Sequence, residues 1–252
     1  MMLTAALSDS VSDIRPTAWQ NADQFPALEP GDLHVWLLRI DEWYNESPNT
    51  ILSADEQERA AKFRRAEDRS DFVVCRGALR ALVGRYIGVE PARVPISYAK
   101  DGKPFVDDRT TRLKFNVSHS REYALFAFSL DTDVGVDIER IDAGVIDQGT
   151  LEYCLHANEL EIYNSLNAHE KAPYFFKCWT RKEAYLKLRG DGFAISPAEI
   201  DLASIQASLL GPGKSQVCFT ELPTVGDYSA IVATKDRPQN IGSYKLGSSL
   251  FM

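Results

Sequence analysis

The sequence predicts an α+β protein built from two similar lobes. The chain has 252 residues, which is enough for two lobes of about 120 residues each. In both halves a long helix is followed by a turn rich in Gly or Pro and then by a pair of strands. Residues 121–129 (REYALFAFS) and 226–234 (GDYSAIVAT) also resemble each other, which indicates a repeated unit. A cleft between two such lobes is the natural place for a ligand.

The lobe boundaries are predicted from the order of these patterns. We expect an N-terminal extension over residues 1–30, an N-terminal lobe over residues 31–130 and a C-terminal lobe over residues 131–252. The first thirty residues have no basic start and no sustained apolar run, so we expect no signal peptide there. We expect them to form a poorly ordered or wrapping extension.

Composition and charge exclude several classes of protein. The net charge is -8 at pH 7, which excludes nucleic acid as the main partner because a phosphate backbone binds a basic surface. The four cysteines stand in no CxxC spacing, so neither a zinc site nor a disulfide framework is predicted. Apolar runs of about 18 residues do not occur, so no membrane span is expected. We therefore expect a cytoplasmic monomer.

The first lobe reads as one strand followed by two helices. The apolar segment LHVWLLRI (33–40) predicts a buried strand. Ser53 and Glu56 have the spacing of a capping box, so a helix is expected from there to about Arg65. A second helix carries apolar residues at helical spacing through residue 86, and Gly88 is well placed to end it. The segment DGKP (101–104) predicts a turn.

Three strands and two helices follow. The strands are LKFNV (113–117), YALFAFSL (123–130) and DVGVDIERI (133–141), and the short connection DTD (131–133) predicts that the last two form a hairpin. Helices are expected near 157–166 and from about 172 to 189, the second closed by Gly190 and Gly192. A turn, GPGK (211–214), then precedes strands VCFTEL (217–222) and YSAIVAT (228–234).

Two acidic side chains share one face of the strand VGVDIERI. Because side chains alternate along a strand, Val134, Val136 and Ile138 lie on one face, and Asp137 and Glu139 lie on the other. The two carboxylates stand about 7 Å apart along the strand, and they can bind a divalent cation from one side. The alternative is a solvent-facing side of the sheet that carries two acids without further function.

The helix near 172–189 poses a related question. Glu183 and Lys187 lie one turn apart on the apolar stripe that includes Phe176, Trp179 and Leu186. A buried carboxylate costs several kcal/mol unless it is paired or bound to a metal. An exposed i, i+4 pair contributes only about 0.3–0.5 kcal/mol, too little to explain burying both groups. Either this part of the stripe faces solvent, or a charged ligand lies in front of it.

Polar and basic residues elsewhere suit an anionic ligand. In FNVSHS (115–120), Ser118, His119 and Ser120 stand at the end of a strand, and a phosphate contact is favoured over nucleophilic catalysis because no G-x-S-x-G elbow occurs. Neither a P-loop nor a G-x-G-x-x-G motif is present. Basic residues that could line an anion pocket together with Lys103 are Arg59, Lys62, Arg64, Arg65, Arg76 and Arg80.

Four segments in this order resemble the 4'-phosphopantetheinyl transferases, in the two-lobed branch typified by the surfactin synthetase-activating enzyme. They are GKP (102–104), FNVSHS (115–120), GVDIE (135–139) and WTRKEAYLK (179–187). The resemblance covers roughly residues 53–194. It implies two pseudo-twofold-related lobes, each with a small antiparallel sheet packed with a long helix, and coenzyme A in the cleft between them.

The resemblance also implies an activity. These enzymes use Mg²⁺, with Mn²⁺ as a possible substitute, to move the 4'-phosphopantetheine group of coenzyme A onto a serine of an apo acyl or peptidyl carrier protein. Adenosine 3',5'-bisphosphate leaves. Because carrier proteins are usually acidic and this chain is acidic too, docking is expected to depend on a local apolar patch and a few arginines at its rim.

Residue roles follow from the same resemblance. Asp137, Glu139 and Glu183 would bind the metal, with Glu139 the least essential. The catalytic residues would be Glu183 as the base, directly or through a metal-bound water, Lys187 beside the departing phosphate, and Asp137. Arg76 is a coenzyme-binding candidate from its placement alone. The full set expected to bind coenzyme A is Arg59, Arg76, Gly102, Lys103, Pro104, Asn116, Ser118, His119 and Lys187.

Two alternatives remain open from the sequence. One is a coenzyme A-binding protein of the same fold without catalytic activity. The other is a metal-dependent phosphoesterase or nuclease that uses the same acidic residues, although the missing basic track argues against a nuclease.

Overall fold

A computed structural model describes residues 15–22, 24–44, 48–99, 102–190, 195–202 and 217–247. The predicted turn at 211–214 and Gly192 lie outside the described residues. Within them, none of the helices combines the length and the apolar character needed to cross a bilayer.

Two main sheets and one short hairpin make up the β structure. The strands of the first sheet, in spatial order, are β1 (Gln20–Asn21), β10 (Asn240–Lys245), β2 (Asp32–Arg39), β6 (Tyr123–Leu130) and β5 (Leu113–Ser120). The second sheet contains β7 (Val134–Arg140), β9 (Tyr228–Thr234) and β8 (Cys218–Glu221), and the hairpin contains β3 (Ile96–Tyr98) and β4 (Pro104–Val106). The second sheet is antiparallel, whereas the first is mixed because β10 runs parallel to β1 and β2.

The described helices match the predicted signals in part. They are α1 (Ala54–Ala61), α2 (Ala66–Ile87), α3 (Gln148–Cys154), α4 (Ala157–Ser165) and α5 (Ala168–Arg189). The capping box of Ser53 and Glu56 is present, and α2 ends at Gly88 with a φ of 69°. The helix predicted to reach Arg65 ends at Ala61 instead, and a separate helix begins at Ala66. A second capping box, Asn167 with Glu170, starts α5 one turn earlier than predicted.

The elements stack in four layers, with helix α2 and helix α5 outside and the two sheets between them. Alternate residues of β6 explain this arrangement. Phe126 and Phe128 pack with α2, whereas Leu125 and Ala127 pack with β7 and β9 of the second sheet. The other face of the second sheet packs on α5 through residues such as Ile231. Each lobe therefore contains one sheet and one long helix, which confirms the predicted α+β class.

The predicted hairpin between strands 123–130 and 133–141 is wrong. β6 pairs with β2 and β5, whereas β7 pairs with β9 in the other sheet. The short connection that was expected to form a hairpin turn carries the chain from one sheet to the other, and Asp131 there has a φ of 62°. The hairpin partner of β6 is β5, joined through Arg121 and Glu122.

The ends of the chain tie the two lobes together. β10 comes from the C-terminal part of the chain but pairs in register with β2, so we propose that the N-terminal lobe consists of residues 31–130 together with β10. In the described part of the N-terminal extension, β1 pairs with β10, and the Trp19 indole donates to the Pro223 carbonyl at 3.1 Å. Phe25 stacks on Trp36. Residues 15–22 and 24–30 thus contact both sheets.

β7 and α5 pack closely together at Gly135. A Cβ atom at this position would lie 2.0 Å from the Ala184 carbonyl oxygen and 2.5 Å from the Leu188 amide nitrogen. These are backbone atoms of a helix, so they cannot move aside as a flexible side chain would. Glycine here allows α5 to lie directly on the strand that carries Asp137.

Gly135→Ala is therefore expected to force α5 away from β7. We expect the free energy of unfolding in urea to fall by about 1–3 kcal/mol, the usual cost of overpacking. Gly149→Ala is the matched control, because a Cβ atom there would meet only Asp147 Oδ1 at an ordinary 3.6 Å. Equal stability of the two variants would contradict the proposed close packing.

Candidate functional site

The predicted motifs meet where the edge strands β5 and β7 of the two sheets run side by side. The segment LKFNVSHS forms the whole of β5, and its side chains alternate between two environments. Leu113, Phe115 and Val117 pack with the core under α2. Asn116 and Ser118 lie on the opposite face, toward β7.

Side chains of β5 join the two strands, in a row that we call the seam. Asn116 Oδ1 accepts a hydrogen bond from the Val136 amide at 2.9 Å. The Ser118 hydroxyl donates to Asp137 Oδ1 at 2.7 Å, and the Ser120 hydroxyl donates to a Glu139 carboxylate oxygen at 2.8 Å. The seam residues on β5 are thus every second residue of FNVSHS, as strand geometry requires.

Lys187 reaches the same seam from α5. Its ammonium group donates to Asp137 Oδ1 at 2.6 Å, to the Ser118 hydroxyl at 2.9 Å and to the Val136 carbonyl at 3.2 Å. Asp137 is almost completely buried, with 2% of its surface exposed. Lys187 therefore pairs with an acid of the neighbouring strand, and the stripe of α5 that carries Glu183 and Lys187 faces β7.

Two carboxylate oxygens in this cluster lack any partner. Asp137 Oδ2 and Glu183 Oε1 are buried and accept no hydrogen bond from the described residues. Burial raises the pKa of Glu183, and the Asp137 carboxylate raises it further, while Lys187 acts in the opposite direction. Burial and Asp137 likewise raise the pKa of Glu139, which hydrogen bonds from Ser120 and Trp179 partly offset. The cluster is short of positive charge.

The arrangement of these acids does not by itself form a complete metal site. Among the described residues, no group of three or more His, Cys, Asp or Glu side chains is arranged closely enough to hold a metal ion. The donor set is nevertheless one of hard oxygen atoms, which suits Mg²⁺ or Mn²⁺. The partnerless oxygens of Asp137 and Glu183 are the kind of buried atom that a cation would satisfy.

A pocket of about 340 Å³ lies beside the seam, on the α2 side of β5. It brings together four predicted coenzyme-binding residues, Arg59, Arg76, Pro104 and His119. Desolvation lowers the pKa of His119 and Lys187 lowers it too, while Asp71 and Asp137 raise it, which places the ring within electrostatic range of the acid cluster. Pocket and acid cluster therefore lie on the two faces of the same strand end.

The two arginines of the pocket are held by two aromatic rings. The Arg59 guanidinium lies 5.3 Å from the Phe72 ring centre and 5.9 Å from that of Tyr98, and Arg76 lies 5.6 and 5.3 Å from the same rings. Arg76 also faces Glu56 at 3.6 Å, yet its buried Nη1 has no hydrogen-bond partner among the described residues. An unsatisfied guanidinium nitrogen beside a pocket suits an anionic ligand.

The predicted GKP turn closes over the cleft from the N-terminal lobe. Gly102 has a φ of 84°, a conformation that favours glycine, and it connects β3 to β4. Lys103 Nζ donates to the Lys187 carbonyl at 2.6 Å, so the turn contacts the last turn of α5. A wider cleft of about 570 Å³ lies below this contact, between Lys103, Pro104 and the end of α5.

Other predicted residues lie apart from the pocket. Asn116 is buried in the seam. Arg80 pairs with Glu56 and donates to carbonyls of residues 91–94, which gives it a structural role. Exposed ion pairs within the helical region engage Lys62 with Glu58 and Arg65 with Glu67. A cavity of about 640 Å³ near Phe25 and Arg85 contains none of the predicted site residues.

The sequence analysis missed two residues of the site, and it placed a third, Ser120, at the strand end without predicting its contact with an acid. Phe72 and Tyr98 hold the two arginines, but they come from α2 and β3, and nothing in the sequence shows that these elements meet. Ser120 contacts Glu139, and for this residue a signal was available, because it continues the alternation of Asn116 and Ser118 on the same face of β5.

Family models match two consecutive parts of the chain. Residues 39–130 match the model of the 4'-phosphopantetheinyl transferase N-terminal region, and residues 133–238 match that of the 4'-phosphopantetheinyl transferase superfamily. The two matches meet where the chain passes from β6 to β7.

Several curated relatives carry the same name. The 4'-phosphopantetheinyl transferase HetI of Nostoc sp. is 36% identical over 176 residues, which cover 68% of this chain and 74% of HetI. The 4'-phosphopantetheinyl transferase gsp of Aneurinibacillus migulanus is 36% identical over 134 residues, 49% of this chain and 54% of the relative. The 4'-phosphopantetheinyl transferase Sfp of Bacillus subtilis is 25% identical over 154 residues, 60% of this chain and 66% of Sfp.

The partnerless carboxylate of Glu183 generates a prediction about stability. Because its pKa is raised in the folded protein, the ionised side chain destabilises the fold above the carboxyl pKa range. In EDTA at pH 7, Glu183→Gln is expected to raise the free energy of unfolding by about 0.5–1 kcal/mol, a gain limited by partial exposure. The gain should shrink as the pH falls through the carboxyl range, because Glu183 is then protonated in both states.

Glu161→Gln on the exposed face of α4 is the control for this measurement. It removes one charge without relieving a buried carboxylate, so urea denaturation should show little change at either pH. A loss of stability in Glu183→Gln would mean that the carboxylate is already satisfied in the folded protein.

Proposed function

This chain belongs to the 4'-phosphopantetheinyl transferase superfamily, and we propose that it transfers the 4'-phosphopantetheine group of coenzyme A to a serine of an apo acyl or peptidyl carrier protein in a Mg²⁺-dependent reaction. The observation that carries this proposal is the acid cluster of Asp137, Glu139 and Glu183 next to the Lys187 ammonium. These groups lie beside a pocket that contains two arginines.

The acid cluster is where we place the metal. Asp137, Glu139 and Glu183 would hold Mg²⁺, and the partnerless oxygens of Asp137 and Glu183 support this assignment. When bound, Mg²⁺ would offset the negative charge of the coenzyme pyrophosphate. Mn²⁺ prefers the same oxygen donors and is the natural substitute.

The pocket on the α2 side of β5 is where we place the nucleotide end of coenzyme A. Arg59 and Arg76 would contact its phosphates, and His119 and Pro104 would line the remaining wall. Lys103 and the Gly102 turn would cover the ligand from the N-terminal lobe. Of the predicted coenzyme contacts, we reassign Asn116 and Ser118, because the amide oxygen of the first and the hydroxyl of the second are engaged within the seam.

The proposed reaction needs one base and one stabilising cation from the chain. Glu183, directly or through a metal-bound water, would accept the proton of the carrier serine hydroxyl, and burial raises the pKa of this carboxyl group. The serine oxygen forms a bond to the phosphorus of the phosphopantetheine arm, the P–O bond within the pyrophosphate breaks, and adenosine 3',5'-bisphosphate leaves. Lys187 would stabilise or protonate the departing phosphate. Positioning and charge stabilisation are the main requirements of phosphoryl transfer.

Transfer to a carrier is the direct test of the proposal. The protein is incubated with coenzyme A, Mg²⁺ and several apo-carriers, and each carrier is weighed by mass spectrometry. The expected result is the addition of one phosphopantetheine group to at least one carrier. Glu183→Gln and Lys187→Ala are expected to lower the rate by about 10²-fold or more, as loss of a general base or of a charge-stabilising group does.

Three outcomes would contradict the proposal or part of it. Near-normal transfer by both variants would refute the roles of Glu183 and Lys187. Binding of coenzyme A without transfer to any carrier would favour a non-catalytic protein, and hydrolysis of phosphate esters without transfer would favour a phosphoesterase. Glu161→Gln, on the exposed face of α4, is expected to transfer at the rate of the unaltered protein.

Coenzyme binding can be tested without a carrier. Arg76→Ala removes the guanidinium whose Nη1 lacks a partner, so the dissociation constant for coenzyme A measured by calorimetry should rise about 10–100-fold, the loss of a charge-assisted hydrogen bond. Arg85→Ala, an exposed arginine on the same helix, is the matched control and should bind normally. An unchanged dissociation constant in Arg76→Ala would remove this arginine from the proposed site.

A further inference from the structure

Ser120 is a side chain of the seam to which neither the motif resemblance nor the proposed reaction gives a role. We propose that it is a positioning residue, which holds the Glu139 carboxylate in the orientation needed to bind the metal. This inference rests on the proposed metal site. It concerns how the chain orients one member of that site.

The direction of the hydrogen bonds at Ser120 supports the role. Its oxygen accepts from the Arg140 amide at 3.2 Å, and its hydroxyl donates to the Glu139 carboxylate at 2.8 Å. A backbone amide can only donate, so the single hydroxyl proton of Ser120 is left for the carboxylate. Ser120 therefore bridges the backbone and the side chain of two consecutive residues of β7.

The backbone next to Ser120 is fixed by strand β5 and by two hydrogen bonds of Glu122 in the following turn. It is the last residue of β5, and Arg121 at the start of the following turn has a φ of 53°. The Glu122 carbonyl accepts from the Ile40 amide at 2.7 Å, and the Glu122 carboxylate accepts from the Tyr228 hydroxyl at 2.7 Å. The turn is thus bound to the first sheet and to β9. A hydroxyl held on such a support can restrict the rotamers of Glu139.

Glu139 has more conformational freedom to restrain than Asp137. Asp137 is nearly buried and bonded to Ser118 and Lys187, whereas Glu139 is only half-buried. A longer side chain with more exposure has more rotamers to lose when a cation binds. Hydrogen bonds to the outer atoms of a metal-binding carboxylate are known to tune metal affinity.

The Ser120 contact belongs to a regular series, because alternate side chains along β5 each form a hydrogen bond to β7. Asn116, Ser118 and Ser120 all point toward β7, and they engage Val136, Asp137 and Glu139 in the same order. Asn116 aligns the strand backbone, Ser118 orients the first acid, and Ser120 orients the second.

Metal binding provides a readout that is independent of transfer. Mn²⁺ is titrated into the full chain in the presence of coenzyme A, and free Mn²⁺ is measured by electron paramagnetic resonance. Ser120→Ala is expected to raise the Mn²⁺ dissociation constant roughly tenfold, a typical effect of losing such a support. Ser120→Thr keeps the hydroxyl and should bind nearly normally. Ser120→Cys keeps the shape with a weaker donor and should be affected in the same direction as Ser120→Ala.

A double-mutant cycle asks whether Ser120 acts through Glu139. In the Glu139→Gln background, adding Ser120→Ala should change the Mn²⁺ dissociation constant less than about twofold, because the carboxylate that it orients is gone. The matched control is Ser97→Ala, which removes a similar serine–carboxylate bond, Ser97 to Asp107 at 3.2 Å, on the separate hairpin. This variant should bind Mn²⁺ as the unaltered chain does.

The outcomes separate this inference from the proposed function. An unaltered chain that binds no Mn²⁺ with coenzyme A present would refute the metal site, and the role of Ser120 with it. Normal Mn²⁺ binding by the unaltered chain and by Ser120→Ala and Ser120→Cys would overturn the role of Ser120 alone. An equal loss in both backgrounds would also overturn it, because Ser120 would then act without Glu139.

Discussion

The structure depends on the contact between two edge strands that share no backbone ladder. β5 and β7 end their respective sheets, and the side chains of Asn116, Ser118 and Ser120 supply the bonds that link the lobes there. Because these bonds terminate on Val136, Asp137 and Glu139, the same contacts that align the lobes also aim the acids. The same side-chain hydrogen bonds therefore determine both the position of the candidate site and the relative placement of the two sheets.

Helix α5 completes this arrangement because Gly135 lets it lie directly on β7. The consecutive charged residues of α5 then have separate tasks. Arg181 pairs with Glu221, and the fully buried Lys182 pairs with Glu159 and donates to the Cys154 and Pro197 carbonyls. These groups anchor the helix to the surrounding elements. Glu183 and Lys187 lie on the face toward the seam, where the helix position set by glycine brings the ammonium to Asp137.

Local features of the fold could be predicted, but strand pairing could not. The capping box at Ser53, the helix end at Gly88 and the alternation along β7 depend on neighbouring residues, and the structure has each of them. The α+β class and the family membership predicted from the motifs are also confirmed. The hairpin assigned to the connection at 131–133 was wrong, because a short polar connection is compatible with a turn and with a crossing between sheets.

The candidate site, like the fold, could be predicted only where it depends on neighbouring residues in the sequence. Adjacent motif residues were grouped together, although strand geometry sends Ser118 toward the acids and His119 toward the pocket. The parallel pairing of β10 with β2 joins segments about 200 residues apart, and no local sequence pattern predicts this pairing. Phe72 and Tyr98 likewise contribute through tertiary contacts. The functional side chains of a motif can therefore be predicted from the sequence more readily than the residues that contact them from distant segments.

The charge balance at the seam argues for a cation on grounds that do not involve relatives. An ammonium group has three donors, and those of Lys187 are taken up by Ser118, Val136 and Asp137. One positive charge thus faces three carboxylates, and Glu183 Oε1 and Asp137 Oδ2 receive nothing from the described residues. Either protons or a divalent cation must supply the missing charge. Burial and the Asp137 carboxylate raise the pKa values of Glu139 and Glu183, and a divalent cation at the site that we propose would oppose that rise.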